Sequence, residues 1–247
     1  MEKYIGKVFK TKTYGDLVIT NWVNHSEVHV KFISTGYQLI TNIQSIKDGA
    51  VRDRYAPSIY GVGIIGDEIS CTKGVYDKQY PLWKNMLLRC YEPKYHEKFP
   101  TYIGCEASDD FKQYSIFKKW CSEQTGFGRK GWVLDKDILY KGNKIYGMHT
   151  CCFVPHEINN LFVKNNSRRV NLPIGTSFCK RTGKYAANHS FSGKTKFIGR
   201  YDTVTEAFEA YKEVKESYIK FVANKWKGQI NPNVYKALIE YKVEITD

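Results

Sequence analysis

Long apolar runs are missing from this sequence, although 42% of its residues are hydrophobic. No stretch approaches the roughly 18 apolar residues that a membrane-spanning helix needs. The first six residues, Met1 to Gly6, also lack an apolar stretch of the signal-peptide type. We therefore expect a protein that does not enter membranes and that stays in the compartment where it is made, the cytoplasm.

Cysteine pairs with the Cys-x-x-Cys spacing are absent as well. The seven cysteines are an odd number, and no two of them are separated by just two residues. Short ligand spacings are the specific sign of a structural zinc site, and an even cysteine set is the sign of a disulfide framework. Reduced thiols in a cytosolic protein fit this sequence better than either.

Acidic residues are few relative to basic ones. The 247 residues include 38 Lys and Arg against 25 Asp and Glu, which gives a formal net charge of +13. Each cation placed on a phosphate releases condensed counterions, so this balance favours binding to a polyanion. A basic surface that serves only solubility has the same composition, and charge alone does not separate the two.

The segments that are present predict an α+β protein of several domains. Short stretches rich in β-branched and aromatic residues, separated by turn residues, fill 1–66 and predict a small antiparallel β-barrel, an accessory nucleic-acid or protein-binding module. Residues 67–163 then mix helix and hairpin signals. Two apolar faces recur there at helical spacing, namely Trp83, Met86, Leu87 and Cys90, and then Phe111, Tyr114, Phe117 and Trp120.

A β-hairpin followed by a helix is predicted at the end of this central region. Residues 132–138 and 151–154 have the composition of paired strands, and a helix begins at His156 after Pro155. The polar, basic stretch 164–172 is typical of a linker. The central region is therefore expected to consist of helices plus one hairpin–helix element.

The last region, 173–247, predicts a three-stranded sheet covered by one helix and followed by a C-terminal extension. The strands are expected at 176–179, 184–191 and 194–201, and the helix from Thr203 to about Asn224. Between Pro173 and Tyr201 there are six basic residues and no acidic ones, whereas acidic residues return in the helix. Such a sheet would read duplex DNA with one cationic face. We expect DNA contacts from Lys180, Arg181, Lys184, Tyr185, His189, Lys194, Lys196 and Arg200, and from Arg168 and Arg169 of the linker.

Two resemblances accompany these patterns. The central segment resembles bacteriophage HNH-type, or His-Me finger-like, homing endonucleases through Trp83, Arg89-Cys90-Tyr91, Phe117, Trp120, Leu134-Asp135-Lys136-Asp137, Cys152-Phe153-Val154-Pro155 and Asn159. The last region resembles an Apetala/ethylene-response-factor-type DNA-binding domain through Gly175-Thr176-Ser177, Gly183-Lys184-Tyr185-Ala186-Ala187, Phe197-Ile198-Gly199-Arg200-Tyr201 and Glu206 to Tyr211. The second resemblance implies that the sheet lies in the major groove of DNA.

The first resemblance implies a nuclease site with an abnormal motif. A histidine that activates water is expected after the aspartate of the first strand, but Asp135 is followed by Lys136. Lysine is a poor general base because it is charged at neutral pH. Three interpretations stay open: a desolvated Lys136 is the base, His149 or His156 replaces it, or the hairpin binds DNA without cutting. The catalytic candidates are Asp135, Lys136, His156 and Arg89.

A divalent cation, Mg²⁺ or Mn²⁺, is the cofactor that an active finger of this kind would need. Asp135 and Asp137 are expected on the same face of a strand, where they could hold the ion together with Asn159. A salt-bridged hairpin turn is the alternative for the two aspartates. Arg89 is expected either to clamp a phosphate or to pair with Asp135.

The expected function is that of a phage-type, sequence-selective DNA-binding protein with a metal-dependent endonuclease site of nicking or homing type. The alternative is an inactive DNA-binding regulator, or an inhibitor of a host system, of the same ancestry. The expected partner is double-stranded DNA, joined by a host protein if the protein is an inhibitor. If the protein is phage-encoded, its location is the cytoplasm of the host bacterium.

Overall fold

The computed structural model describes residues 4–68, 71–72, 74–163, 172–191 and 193–247. The chain divides into two compact units: the first comprises Met1–Ser122 and Lys144–Met148, and the second comprises Glu123–Asn143 and His149–Asp247. The division therefore runs through residues 67–163, which the sequence grouped into one domain. Arg168 and Arg169, with most of the predicted linker, lie outside the described residues.

The first unit begins with an open antiparallel sheet rather than the predicted barrel. Its strands are β1 (Val8–Lys10), β2 (Asp16–Asn24), β3 (Glu27–Phe32) and β4 (Gln38–Thr41), in the order β1-β2-β3-β4. A barrel would need β4 to pair with β1, and these two strands are only three and four residues long. Helix α1 (Ile43–Lys47) instead places Ile43 and Ile46 in the core of the sheet.

Aromatic helices form the rest of the first unit. Helix α2 (Gln79–Tyr91) follows two short strands, β5 (Cys71–Thr72) and β6 (Val75–Tyr76), and precedes α3 (Pro93–Lys98), a 3₁₀ turn (Pro100–Tyr102) and β7 (Glu106–Ala107). The face of α2 that the sequence predicted is buried. The second predicted helix is two helices, α4 (Asp109–Lys112) and α5 (Tyr114–Glu123), because Gln113 is extended. The indole of Trp83 donates a hydrogen bond to the Phe111 carbonyl at 2.7 Å and joins α2 to α4.

The second unit contains the hairpin–helix element. Strand β8 (Trp132–Asp135) pairs antiparallel with β10 (Cys152–Pro155), and α6 (His156–Asn159) follows directly. Between them, β9 (Ile145–Tyr146) belongs to the first unit and pairs in parallel with β7. The order of elements is the one that the sequence predicted, although α6 is only four residues long.

The C-terminal sheet and helix have the predicted bounds. Strands β11 (Thr176–Cys179), β12 (Lys184–Phe191) and β13 (Lys194–Tyr201) form an antiparallel sheet that packs on α7 (Val204–Lys225). The Thr203 hydroxyl accepts a hydrogen bond from the Glu206 amide, and the Glu206 carboxylate accepts one from the Thr203 amide. This capping box fixes the start of α7.

Helix α8 (Pro232–Glu240) completes a core that the hairpin shares with α7. Val154 and Ile158 of the hairpin–helix element are fully buried in it. They pack with Ile219 and Val222 of α7 and with Leu238 of α8. The hairpin thus shares a core with the C-terminal helices. None of the described helices is both long enough and apolar enough to cross a membrane.

Candidate nucleic-acid interface and hairpin site

One face of the C-terminal sheet is left open by α7. Ala187 of β12 is fully buried against α7, so its neighbours Ala186 and Asn188 point to the opposite face. Strand pairing places Ser177 and Arg200 beside Ala186, and Phe197 beside Asn188. We define the open face by Ser177, Lys184, Ala186, Asn188, Phe197 and Arg200.

A cation and an aromatic ring stand together on this open face. The guanidinium carbon of Arg200 lies 5.4 Å from the ring centroid of Phe197, and the Phe197 side chain is 57% exposed. Lys180 and Arg181 are exposed in the turn between β11 and β12. The open face and this turn therefore offer cations for phosphates beside an apolar ring for base edges.

Four of the predicted DNA contacts lie on the other face of the sheet, which corrects the expectation of a single cationic face. Tyr185 packs against the core under α7. His189 is only 2% exposed, so it cannot read bases from the open face. Lys196 pairs with His189, and Lys194 pairs with Phe191 on the same side.

A β-bulge is the physical reason why the lysines change sides. In a regular strand Lys194, Lys196 and Arg200 would share one face because they are separated by even numbers of residues. The register of β12 and β13 shifts between Ala187 and Asn188, which leaves Ile198 as an extra residue in β13. The lysines before the bulge therefore face away from Arg200.

Two polar residues of the open face were missed from the sequence. The Asn188 amide nitrogen lies 3.4 Å from the Ser177 hydroxyl across β11 and β12. An asparagine amide can both donate to and accept from an adenine edge. If the burial of Ala187 had been recognised from the sequence, the alternation of side chains along β12 would have placed its neighbour Asn188 on the open face.

The exposed side of α7 carries the opposite charge. Its acidic residues recur at steps of three and four, so they form one stripe along the helix. This acidic stripe consists of Glu206, Glu209, Glu213 and Glu216, and it lines a shallow groove with Tyr201 and Lys212. The acidic residues missing from the strands therefore lie on α7, where Lys212, Lys215, Lys220 and Lys225 accompany the four glutamates.

The Asp135 carboxylate ends strand β8. Its Oδ1 accepts hydrogen bonds from the backbone amides of Asp137 and Ile138, each at 2.9 Å. This is an Asx-type turn, so Asp137 lies beyond the strand and not on the strand face that the sequence predicted. Burial, followed by the charge of Asp137, raises the pKa of Asp135 to about 6.

Lys136 serves the same turn. Its ammonium lies 3.2 Å from Asp137 Oδ2 and donates to the Asn143 carbonyl at 3.1 Å. The Asn143 amide donates to the Lys136 carbonyl at 2.6 Å. The Lys136 ammonium is thus engaged by a carboxylate and a carbonyl of the turn, so the geometry favours the salt-bridged turn over a lysine base.

The other catalytic candidates do not join the two aspartates. His156 is exposed at the start of α6, and its backbone amide donates to the Gly131 carbonyl at 2.8 Å. In the part of the chain that the structure describes, neither His156 nor Asn159 makes a side-chain hydrogen bond to Asp135. Arg89 belongs to the first unit, where its guanidinium lies 5.4 Å from the Tyr102 ring centroid and bonds to Tyr146.

The residues around Asp135 do not fit a metal site built by the protein alone. Among the described residues, no three His, Cys, Asp or Glu side chains are grouped so that they could hold an ion. One oxygen of Asp135 is occupied by amides, and the Asp137 carboxylate already faces the Lys136 ammonium. The ammonium thus takes the position in which a cation would be expected.

Comparison with known proteins adds no assignment. The chain matches no protein family, no curated protein and no solved structure among those compared.

Proposed function

We propose that the protein binds duplex DNA through the open face of the β11–β12–β13 sheet. The observation that carries the proposal is the segregation of charge around this sheet. From Pro173 to Tyr201 the sequence has six basic residues and no acidic ones, while the acidic stripe runs along the outside of α7. A phosphate backbone is attracted to the first surface more strongly than to the second, where four lysines of α7 offset the four glutamates.

Two kinds of contact follow from the positions of the side chains. Lys180, Arg181 and Lys184 are long, exposed cations and suit phosphates, which position the protein without reading sequence. Asn188, Phe197 and Arg200 stand on the open face and suit base edges: guanine for the arginine, adenine for the asparagine and a thymine methyl for the ring. The open face therefore supports sequence-selective binding.

A binding-site selection from a random duplex library, followed by affinity measurements, tests this proposal. Arg200→Ala is expected to weaken binding to the selected site by about tenfold or more, the value of one good base contact. Lys220→Ala removes the same charge from an exposed position of α7 and is the matched control. An equal loss in both variants, or the absence of any selected sequence, would refute the assignment of the open face.

Salt dependence separates phosphate contacts from base contacts. Loss of one phosphate contact lowers the slope of log affinity against log salt by about 1. Lys184→Ala is expected to show this reduction on every duplex tested, whereas Phe197→Ala is expected to keep the slope and lose preference between sequences. An unchanged slope of log affinity against log salt for Lys184→Ala would show that Lys184 makes no phosphate contact.

DNA cleavage is a second candidate function, favoured by one observation. A carboxyl group with a pKa near 6, such as Asp135, can exchange a proton at neutral pH. Cutting would need Mg²⁺ or Mn²⁺ from solution. Nicking of supercoiled plasmid by the wild type, abolished by Asp135→Ala, would establish an endonuclease; plasmid that stays supercoiled with either metal would leave a DNA-binding regulator.

A further inference from the structure

A cavity of about 940 Å³ lies within the second unit, beside α7 and the end of β12. Its size is at the upper end of the range for small-molecule pockets. Leu161, Phe162 and Ile174 supply apolar walls, and the rings of Tyr211 and Tyr218 line another side. The cavity adjoins the surfaces described above through Asn188 and Asp137, which also line it, but its apolar walls and tyrosine rings belong to neither.

The carboxylates in the cavity wall already have cationic partners. Their nitrogen–oxygen distances are 3.2 Å from Lys136 to Asp137, 2.7 Å from Lys225 to Glu157 and 2.8 Å from Lys141 to Asp247. Each pair is locally neutral. The acidic groups of the wall therefore leave no negative charge for a further cation.

Lys215 of α7 is the exception among the charged groups of the wall. Its ammonium donates to the Leu161 carbonyl at 2.7 Å, and it has no carboxylate partner among the residues that the structure describes. Burial lowers the pKa of Lys215 to about 8, which leaves the group mostly charged at neutral pH. A buried cation without a counter-charge is costly unless an anion joins it.

His189 adds an unsatisfied polar group to the same wall. The residue is 98% buried, and neither ring nitrogen has a hydrogen-bond partner in the described part of the chain. Its ring centroid lies 5.8 Å from that of Tyr211 and 5.4 Å from that of Tyr218. Buried polar groups without partners are rare in folded proteins, so the imidazole of His189 is available to a polar group that enters the cavity.

We propose that this cavity binds a small molecule that carries a phosphate or carboxylate group on an aromatic or apolar body. Lys215 supplies the positive charge for the oxyanion, and His189 supplies a hydrogen-bond donor once the ligand reaches its ring. Tyr211 and Tyr218 provide the flat surface against which an aromatic body can pack. The proposal does not depend on DNA binding.

Phenyl phosphate is a suitable probe because it joins both parts of the predicted ligand, while inorganic phosphate, acetate and phenol each present one part. Calorimetric titration of the full chain at neutral pH is expected to show saturable binding of phenyl phosphate, weaker binding of phosphate or acetate, and none of phenol. A stronger response to inorganic phosphate than to acetate would assign the anion as a phosphate.

Lys215→Met is expected to weaken phenyl phosphate binding at least tenfold. Lys220→Met is the matched control on the same helix and is expected to bind like the wild type. His189→Phe provides a second variant, with a smaller loss and a displaced ligand, seen as changed chemical shifts of the neighbouring tyrosines. Equal affinity of Lys215→Met and Lys220→Met, or no saturable binding of any probe to the wild type, would overturn the proposal.

Discussion

Asp135 commits one carboxylate oxygen to two backbone amides, and this local bond decides where β8 ends. Residues 132–138 read as one strand because aromatic and β-branched residues occur at both of its ends. Side-chain acceptors such as aspartate compete with the sheet for backbone donors, and here the side chain prevails. A charge at this position is costly to the fold, because the carboxyl is largely buried beside Asp137.

Asp135→Asn is expected to make the protein more stable at pH 7. The amide oxygen keeps the acceptor for both backbone bonds, while the buried charge is removed. In the wild type the folded state holds the Asp135 proton more tightly than the unfolded state, so the contribution of Asp135 to stability rises as pH falls from about 6 towards 3.8. Denaturant unfolding at several pH values should therefore show that the stability advantage of Asp135→Asn over the wild type shrinks across this range, because all other titrating groups are common to both proteins.

Asp135→Ala is the control for the turn. It removes the charge and also leaves two amides without their acceptor, so we expect it to be less stable than Asp135→Asn by about 1–3 kcal/mol. Equal stability of the two variants would show that the two amide bonds do not hold the turn.

Protonation of His189 is expected to affect stability at acid pH in the direction opposite to that of Asp135. Burial, aided by the charge of Lys215, lowers the pKa of His189 to about 4. The unfolded state therefore binds the proton first, and the contribution of His189 to stability should fall as pH drops from 6.5 towards 4, seen as the difference between the wild type and a variant without the imidazole. His189→Phe is expected to reduce this fall and to leave DNA affinity unchanged within twofold. Weaker DNA binding by His189→Phe would show that His189 contributes to the DNA interface.

At the scale of elements, the sequence predicts the C-terminal sheet and helix well. Turn residues and the capping residue Thr203 mark their ends, and both signals are local. The faces of β13 could not be predicted, because the bulge at Ile198 depends on how β13 pairs with β12. The bulge accounts for the wrong side predicted for Lys194 and Lys196, whereas Tyr185 and His189 lie on β12, where the sequence did not show which face packs on α7.

Contact between β11 and α7 depends on Gly175. The residue has φ +80°, and a Cβ atom there would lie 2.1 Å from the ring of Tyr211. Gly175→Ala is therefore expected to destabilise the sheet by more than Gly183→Ala, which has φ +65° and open space around it. In thermal unfolding, the control Gly183→Ala should lose only about 1–2 kcal/mol of unfolding free energy, the cost typical of a residue with a side chain in the left-handed region. Equal losses would show that Tyr211 moves aside.

At the scale of the whole molecule, the sequence could not show which helices support the hairpin. Trp83 and Trp120 precede the hairpin and Leu238 follows it by about 80 residues, and periodicity does not reveal which apolar faces meet. The structure packs the hairpin on α7 and α8. The same limit applies to the first 66 residues, where strands were predicted but closure into a barrel was not observed.

Leu238→Ala is expected to loosen the hairpin although the two are far apart in sequence. Leu238 is 1% exposed and shares a core with Val154 and Ile158. Truncation of a buried leucine costs about 2–5 kcal/mol. Hydrogen exchange should become faster at the amides of β8 and β10, while β2 and β3 of the first unit keep their protection. Unchanged hydrogen exchange in β8 and β10 would show that α8 does not stabilise the hairpin.

The return of residues 144–148 to the first unit has a practical consequence. The backbone passes from one unit to the other between 122 and 123, between 143 and 144, and between 148 and 149. Neither unit can therefore be excised as one continuous fragment without losing some of its own residues. A protease that nicks the chain after residue 122 would leave two pieces with no covalent link, and the β7–β9 pairing within the first unit would join them non-covalently. Co-migration of the two pieces under native conditions after such a nick would reveal the inserted strand.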